Sequence, residues 1–355
     1  MRPPASIERL ACGGATLIDL LVGIALALVG VVLIYQVAGT AEVRRRDIKG
    51  AGEAEETAAL SLARISFDLA NAGNGFGASA EIFATCPSAA TLHDTMRPIS
   101  VLINDGGSDD RPDSATIRYG TASGGGVAVP LSAAASAGAP LVVQGADTFA
   151  AGDIVAIASR TGACAVSEVL TVSAPSSGQL EITAEDLTGD WPASSVLVNL
   201  GSDKRIQTIR YDVVDGALRS TDTFHADVAN PLASNVVNLK LQYGIDSDGD
   251  GAIDTWVPAT DLGTLGSWTA DSMLHADLAT LNRIKAVRVG VIVRSEFQDR
   301  RITKPFRWTL FDCPAIAKSE CPGRLTGFFT PARNGGYRYR VHETIVPLRN
   351  VIWNS

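Results

Sequence analysis

Sequence motifs of common catalytic centres are missing from this chain. Gly-x-Ser-x-Gly, His-Glu-x-x-His and Cys-x-x-Cys do not occur, so hydrolase, zinc-protease and thioredoxin-like sites are not indicated. The four histidines lie far apart, and none has a metal-ligand spacing to another. Residues 73–77 (Gly-Asn-Gly-Phe-Gly) imitate a phosphate loop, but they end a predicted helix instead of opening one. We therefore expect that the protein is not an enzyme.

A basic excess is missing as well, and aromatic residues are few. The formal net charge is −8 and aromatic residues make up 6% of the chain. Nucleic-acid-binding proteins carry a basic stripe, so we expect no nucleic-acid partner. Hydrophobic residues make up 46% and charged residues 19%, which argues against a disordered chain. The length of 355 residues allows one large domain or two small ones.

The longest apolar run occupies residues 20–38, near the N-terminus. As a helix it spans just under the ~30 Å hydrocarbon core of a membrane. A secretory signal places its small-residue cleavage site after the apolar stretch, whereas Gly13 and Gly14 precede it here. Cleavage after Gly14 would remove a leader of residues 1–14 and leave the apolar helix on the mature chain.

The helical pattern continues beyond the apolar run and becomes amphipathic. One stripe repeats at spacings of four, three and four, formed by Ala58, Leu62, Ile65 and Leu69. The charged residues Arg64 and Asp68 are expected to remain in water, with Glu53, Glu55 and Glu56. Gly73 can supply a left-handed cap. The pattern predicts a helix over residues 15–70.

Residues 71–355 are predicted to form a β-rich globular domain. Short runs of β-branched and aromatic residues alternate with turn clusters, at residues 114–119, 153–157, 167–172, 206–211, 236–243 and 284–293. The last run alternates with a period of two. The fold class that follows is α+β, with a long N-terminal hydrophobic helix packed on a mainly antiparallel β domain.

Five cysteines are present, and Cys12 would leave with the leader. The remaining four allow three pairings. The short separation of Cys313 and Cys321 favours a bond between them, which leaves Cys86 to pair with Cys164. Spacing alone leaves the other pairings open, because it does not show which Cα atoms approach within about 7 Å.

The segment that follows residue 245 has the spacing of a calcium loop. Its candidate ligands stand at loop positions 1, 3, 5, 7 (through the carbonyl) and 9, namely Asp246, Asp248, Asp250, Ala252 and Asp254. Gly251 falls at the sharp turn, but Val257 replaces the bidentate glutamate, and strands flank the loop. The simpler interpretation is a polar hairpin turn. Repulsion among four carboxylates favours a bound Ca²⁺ instead.

The N-terminal segment resembles the signal of type IV prepilins. Residues 14–20 read Gly-Ala-Thr-Leu-Ile-Asp-Leu, where that signal typically reads Gly-Phe-Thr-Leu-(Ile/Val)-Glu-Leu. Ala15 replaces the usual Phe, and Asp19 replaces the usual Glu at the fifth mature position. Further stretches are similar to PilW-like minor pilins, at residues 63–75, 238–251, 283–294 and 346–350. Residues 120–200 match less well.

The resemblance implies a minor pilin that helps to initiate or cap a pilus fibre. Prepilin peptidase would cleave after Gly14, and the new N-terminal amine of Ala15 would be methylated. Asp19 would pair with that amine on the same or an adjacent subunit. Expected partners are other minor and major pilins, reached through the helix, and the inner-membrane assembly platform.

The expected location is the bacterial inner membrane, with a single span and a periplasmic C-terminal domain. Flanking charges alone would reverse this orientation, because Arg44, Arg45, Arg46 and Lys49 follow the apolar run. A domain this large translocates largely regardless of such charges. Two other classes stay open: a type II secretion pseudopilin, which shares the leader and helix, and an anchored periplasmic binding protein or enzyme.

Overall fold

The computed structural model forms two compact units, Met1–Gly52 and Glu53–Ser355. It describes residues 17–75, 80–83, 86, 99–107, 110–120, 127–144, 149–176, 178–185, 187, 189–202, 206–224, 228–263, 266–299, 301–313, 321, 323–329 and 336–352. The leader with its predicted cleavage site at Gly13, Gly14 and Ala15 lies outside these residues.

Helix α1 covers Leu17–Asn71, a length of 55 residues. Its first part, Leu17–Glu42, has a mean hydropathy of 2.9 and none of its apolar window is buried. This part is long and apolar enough to cross a membrane. It is about 39 Å long at the rise of an α-helix, so it exceeds the hydrocarbon thickness of roughly 30 Å.

The last part of α1, from residue 53 onward, belongs to the second unit and packs on its sheets. Ala58, Ile65 and Leu69 are fully buried, and Leu62 is partly buried against the same core. The predicted apolar stripe is therefore confirmed. The helix ends at Asn71, and Gly73 follows with φ of 78°, a left-handed conformation that glycine adopts without strain.

Four short helices and seventeen strands complete the part of the chain that the structure describes. The helices are α2 (Ala80–Phe83), α3 (Ala270–His275), α4 (Leu278–Asn282) and α5 (Arg349–Ile352). The strands are β1 (Val101–Asn104), β2 (Ser114–Tyr119), β3 (Ala128–Pro130), β4 (Leu141–Gln144), β5 (Asp153–Ala158), β6 (Cys164–Ser176), β7 (Gln179–Ala184), β8 (Val196–Ser202), β9 (Gln207–Val214), β10 (Ala217–Asp222), β11 (Ala229–Ser234), β12 (Val236–Ile245), β13 (Thr255–Val257), β14 (Ile284–Arg294), β15 (Phe306–Leu310), β16 (Leu325–Phe329) and β17 (Tyr339–Pro347).

Two antiparallel sheets share the largest core with α1. Their strand orders are β1–β2–β9–β10–β11 and β13–β12–β14–β17. The four valines of β14 at positions 287, 289, 291 and 293 are all buried in this core, as the period-two pattern predicts. Helix, sheets and core together confirm the α+β fold class.

A second group of strands forms a small barrel inserted between β2 and β9. The two strands pair directly, with Tyr119 opposite Gln207, so the chain leaves and re-enters the sheet at adjacent points. The intervening strands have the order β3–β8–β5–β6–β7–β4. A bridge between Leu131 and Val143 joins the first and last strands. This inserted barrel (residues 128–202) has its own apolar core, which includes Trp191 and Leu197.

The remaining two strands, β15 and β16, form a separate hairpin sheet. Trp308, Leu310 and Phe329 point inward and share a core with Ile292 of β14. Arg307 and Phe328 are cross-strand partners and face outward, because side chains alternate between the two faces of a strand. Phe328 is 61% exposed.

Two disulfide bonds tie loops to this framework. They are Cys86–Cys164, with Cα atoms 5.7 Å apart, and Cys313–Cys321, with Cα atoms 5.6 Å apart. The structure thus forms the pairing that the spacing favoured. The first bond links the inserted barrel to the segment after α2, and the second closes the chain between β15 and β16.

Candidate functional site

The structure contains three candidate sites. The first is the start of α1. Asp19 lies in the first turn of the helix, where a carboxylate interacts favourably with the helix dipole. Its side chain is exposed in the first unit. The predicted partner of Asp19, the amine of a processed Ala15, lies outside the described residues.

The second site joins α1 to the sheet and was not predicted. Asp68 is fully buried, so the expectation that it remains in water is wrong. Its Oδ1 accepts a hydrogen bond from Tyr119 Oη at 2.8 Å, and its Oδ2 accepts one from Tyr211. Arg64 Nε lies 3.5 Å from Oδ2, one helical turn earlier. We call these four residues the Asp68 anchor.

In the Asp68 anchor, the carboxylate of Asp68 carries the negative charge and the two tyrosine phenols stay neutral. Burial first, and then the charge of Asp68, raise the pKa of both Tyr119 and Tyr211 well above the ordinary value. Both phenols therefore stay neutral and donate to the carboxylate. One signal was available in the sequence: Asp68 stands between the buried positions Ile65 and Leu69, three residues after the first. A polar residue inside an apolar stripe has to find buried partners.

The end of α1 receives a further contact from the C-terminus. Nδ2 of Asn350, in α5, donates to the carbonyl oxygens of Asn71 and Ala72, both at 3.2 Å. The last carbonyls of a helix have no partner within the helix. The side chain of Asn350 therefore caps α1 and ties the two ends of the second unit together.

The third site is the acidic loop between β12 and β13. Carboxylate oxygens of Asp246, Asp248 and Asp254 lie within 4.8 Å of one another. Of the other predicted ligands, Asp250 does not belong to this group, and its Oδ1 accepts from the N–H of Ala252 at 2.7 Å. Strands flank the loop, as predicted.

Asp246 is the buried member of the acidic loop, and the chain itself stabilises its charge. Its oxygens accept from the N–H groups of Gly249 at 2.6 Å and Gly251 at 2.9 Å. Lys285 Nζ lies 3.7 Å away. Burial tends to raise the pKa of Asp246, but the two hydrogen bonds and the Lys285 ammonium outweigh it and lower the pKa.

Asp254 is stabilised in the same way. Hydrogen bonds from the hydroxyl and the N–H of Ser247 lower the pKa of its carboxyl group. The carboxylates of Asp246 and Asp254 are thus held ionised by groups of the chain. A cation is therefore not required to relieve their repulsion, and the three neighbouring carboxylates remain a candidate site for a hard cation.

An apolar membrane-length helix that continues into an antiparallel β domain is the architecture of type IV pilin-like proteins. Residues 206–350 match the family model of PilW, the Type IV Pilus-assembly protein W. The resemblance predicted from the sequence is confirmed over that range. The match begins just after the inserted barrel, so the barrel lies outside it.

Among solved structures, a type IV-like pilin from Thermus thermophilus is similar at 15% sequence identity and a TM-score of 0.26. The similarity covers 57% of this chain and 86% of that one. No curated protein matches the chain.

Proposed function

We propose that this type IV pilus-related protein is a minor pilin that helps to initiate or cap the fibre, and that it is not an enzyme. The observation that carries the proposal is the PilW match over residues 206–350 on a chain with a membrane-length helix near its N-terminus. A subunit of this kind needs an anchor and a docking surface, and no catalytic centre.

The proposed maturation and location follow from the order of the N-terminal segments. Prepilin peptidase removes residues 1–14, and the amine of Ala15 is methylated. The protein then resides in the inner membrane with its C-terminal domain in the periplasm. The two disulfide bonds suit that oxidising compartment. Partners are other minor and major pilins, met through α1, and the assembly platform.

Asp19 gives this proposal a physical mechanism. A carboxylate costs about 2.5–3.5 kcal/mol at the centre of a bilayer and less near its interface. The amine created by cleavage is four residues away in sequence, on this subunit or its neighbour. Pairing the two charges in a medium of low dielectric is far more favourable than in water. The pair sets the axial register of neighbouring helices, and cleavage becomes a condition for assembly.

Mass spectrometry of the mature N-terminus tests this mechanism in strains with and without prepilin peptidase. We expect the chain to begin at Ala15, with the mass of one added methyl group, only when the peptidase is active. Asp19→Ala should still insert and be cleaved, but its recovery in sheared pili or in crosslinks to other pilins should fall at least about tenfold, a loss of roughly 1.4 kcal/mol.

Asp19→Glu is the matched control and should assemble at nearly the wild-type level. A chain that still begins at Met1 beside an active peptidase contradicts the maturation step. Normal assembly of Asp19→Ala contradicts the role of this residue alone. Processed protein that copurifies with a type II secretion complex, and not with pili, would favour the pseudopilin alternative.

A second candidate function is calcium binding by the acidic loop, supported by the three carboxylates within 4.8 Å of one another. A ligand that binds only the folded chain stabilises it by about 2.7 kcal/mol at a hundred times its Kd. We expect 1 mM Ca²⁺ to raise the Tm of the purified full-length chain by several degrees relative to chelator. Asp248→Asn should abolish this rise, whereas Asp250→Asn should reduce it less, because Asp250 lies outside the group.

Asp261→Asn is the control for the calcium experiment, because Asp261 is an exposed aspartate in a loop outside the cluster. Its Tm should respond to calcium as the wild type does. Equal Tm values for the wild type in calcium and in chelator would exclude the calcium site. The loop would then be a polar turn whose carboxylates are satisfied by hydrogen bonds within the chain.

A further inference from the structure

The charges of this chain are divided between two distant regions of the sequence. The inserted barrel contains seven acidic residues and one basic residue, a net charge of −6. Residues 294–340, the basic region, contain ten basic and four acidic residues, a net charge of +6. The net charge of −8 for the whole chain does not show this division. Regions of opposite charge on one kind of molecule attract each other between copies.

Two acidic residues of the barrel lie near an exposed apolar side chain. Glu168 and Leu170 lie on the outward face of β6, and Leu170 is 48% exposed. The N–H of Glu185 donates to the carbonyl oxygen of Glu168 at 2.8 Å, so the two exposed glutamates are neighbours. Neither glutamate forms an ion pair with any residue that the structure describes. We call Glu168, Leu170 and Glu185 the acidic face.

The basic region contains the counterpart of that arrangement. On the outer face of the β15–β16 hairpin, Arg307 lies directly across from Phe328. Both are exposed. Within the described part of the chain, Arg307 has no acidic partner. Arg307 and Phe328 form the basic face.

We propose that the basic face of one copy of this chain docks on the acidic face of the next copy, head to tail. Phe328 packs against Leu170 and excludes water from the centre of the contact. Arg307 then pairs with Glu168 and Glu185 at its rim. Each face combines an exposed apolar residue with charge of one sign, so the two faces are complementary in both hydrophobicity and charge. A heterologous contact of this kind continues from copy to copy, and it does not depend on the proposed pilus role.

Cysteine crosslinking of the full-length protein in isolated membranes tests the contact. Two differently tagged copies are co-expressed, one with Leu170→Cys and the other with Phe328→Cys, and the membranes are treated with a mild oxidant. We expect a disulfide-linked dimer that carries both tags. Both copies carry Cys12→Ser, because Cys12 is outside the two disulfide bonds. Leu170 and Phe328 are exposed, so the substitutions leave the core intact, and thiol labelling before oxidation should report one free thiol per copy.

Charge reversal separates a specific contact from random collision. Glu168→Arg on the first copy, or Arg307→Glu on the second, should lower the yield of crosslinked dimer about fivefold or more, because like charges then face each other. Both reversals together should restore most of the yield. Arg160→Glu, in the turn between β5 and β6, is the matched control and should leave the yield unchanged.

Three outcomes would overturn the proposal. They are the absence of a dimer with both tags, a crosslink of either cysteine to a different protein, and a double reversal that fails to restore the yield. Raising the salt concentration from 0.05 to 0.5 M should also weaken the dimer, since salt screens charges at the rim. A yield that is insensitive to both salt and charge would contradict an electrostatic contact.

Discussion

Asp68 is the residue on which the attachment of α1 to the sheet depends most. Two tyrosines from paired strands, Tyr119 of β2 and Tyr211 of β9, donate to its two oxygens. A buried carboxylate without such partners would be strongly unfavourable. The anchor therefore selects one rotation and one height of the helix on these strands, which apolar packing alone would specify less sharply.

Replacing Asp68 should cost more stability than its size suggests. Asp68→Ala leaves two buried hydroxyl groups without an acceptor, so we expect the free energy of unfolding to fall by about 2–4 kcal/mol. Tyr119→Phe removes one donor and should cost about 1 kcal/mol. Chemical denaturation followed by circular dichroism measures both values.

The control for Asp68 is Arg64→Ala. Arg64 is about half exposed, and exposed ion pairs contribute at most about 1 kcal/mol. If Asp68→Ala costs no more than Arg64→Ala, the hydrogen bonds of the anchor do not stabilise the fold.

Among the elements, the β15–β16 hairpin has little tolerance for added atoms. Gly327 lies opposite Trp308, and a Cβ at this position would approach the indole ring to 2.3 Å. Trp308 is buried against Phe329 and Ile292, so the ring has little room to move. Glycine is required here by close approach, not by backbone conformation.

Gly327→Ala should therefore destabilise the hairpin. Overpacking typically costs about 1–3 kcal/mol, and we expect the Tm to fall and the Trp308 fluorescence to shift toward that of an exposed indole. Thr326→Ala, at the exposed neighbouring position, is the control and should change both little. An unchanged Tm for Gly327→Ala would mean that the ring moves aside freely.

At the scale of the elements, the sequence predicts single strands well and the pairing between distant strands poorly. The runs at 114–119 and 284–293 coincide with β2 and β14 to within one residue, because local alternation specifies a strand. The closure of the barrel through Leu131 and Val143 was not predicted. It depends on which strands pair with each other, and the order of strands along the chain does not specify that pairing. The burial of Asp68 was missed for the same reason: its partners lie 51 and 143 residues away.

The candidate sites differ in the same way: the contiguous one was predicted from the sequence, and those assembled from separate strands were not. The acidic loop was recognisable because its residues are contiguous, although Asp250 lies outside the observed group. The acidic and basic faces are assembled from separate strands and became visible only with the sheet register.

At the scale of the whole molecule, buried tyrosines make stability depend on alkaline pH. Burial raises the pKa of Tyr119, Tyr211 and Tyr243 above the ordinary value of about 10. The folded state thus keeps protons that the unfolded chain releases. The corresponding stability is complete below about pH 10 and is lost as the pH rises above it.

We expect the Tm to fall steeply between about pH 10 and pH 11.5, with part of the tyrosine absorbance change appearing only as the chain unfolds. The same titration in denaturant is the control, and there all six tyrosines should ionise together near pH 10. A native chain whose tyrosines all ionise near pH 10 without unfolding would contradict the raised pKa values.

The direct pairing of Tyr119 with Gln207 has a consequence for the history of this chain. Tyr119 and Gln207, which flank the insertion, lie about 5 Å apart on neighbouring strands, so the chain leaves the framework and returns to it at nearly the same place. A short turn could replace the inserted barrel without displacing β2, β9 or the Asp68 anchor between them. Relatives could therefore lose, exchange or enlarge this barrel in one genetic step, and the surface they present to a partner would change while the framework stayed the same.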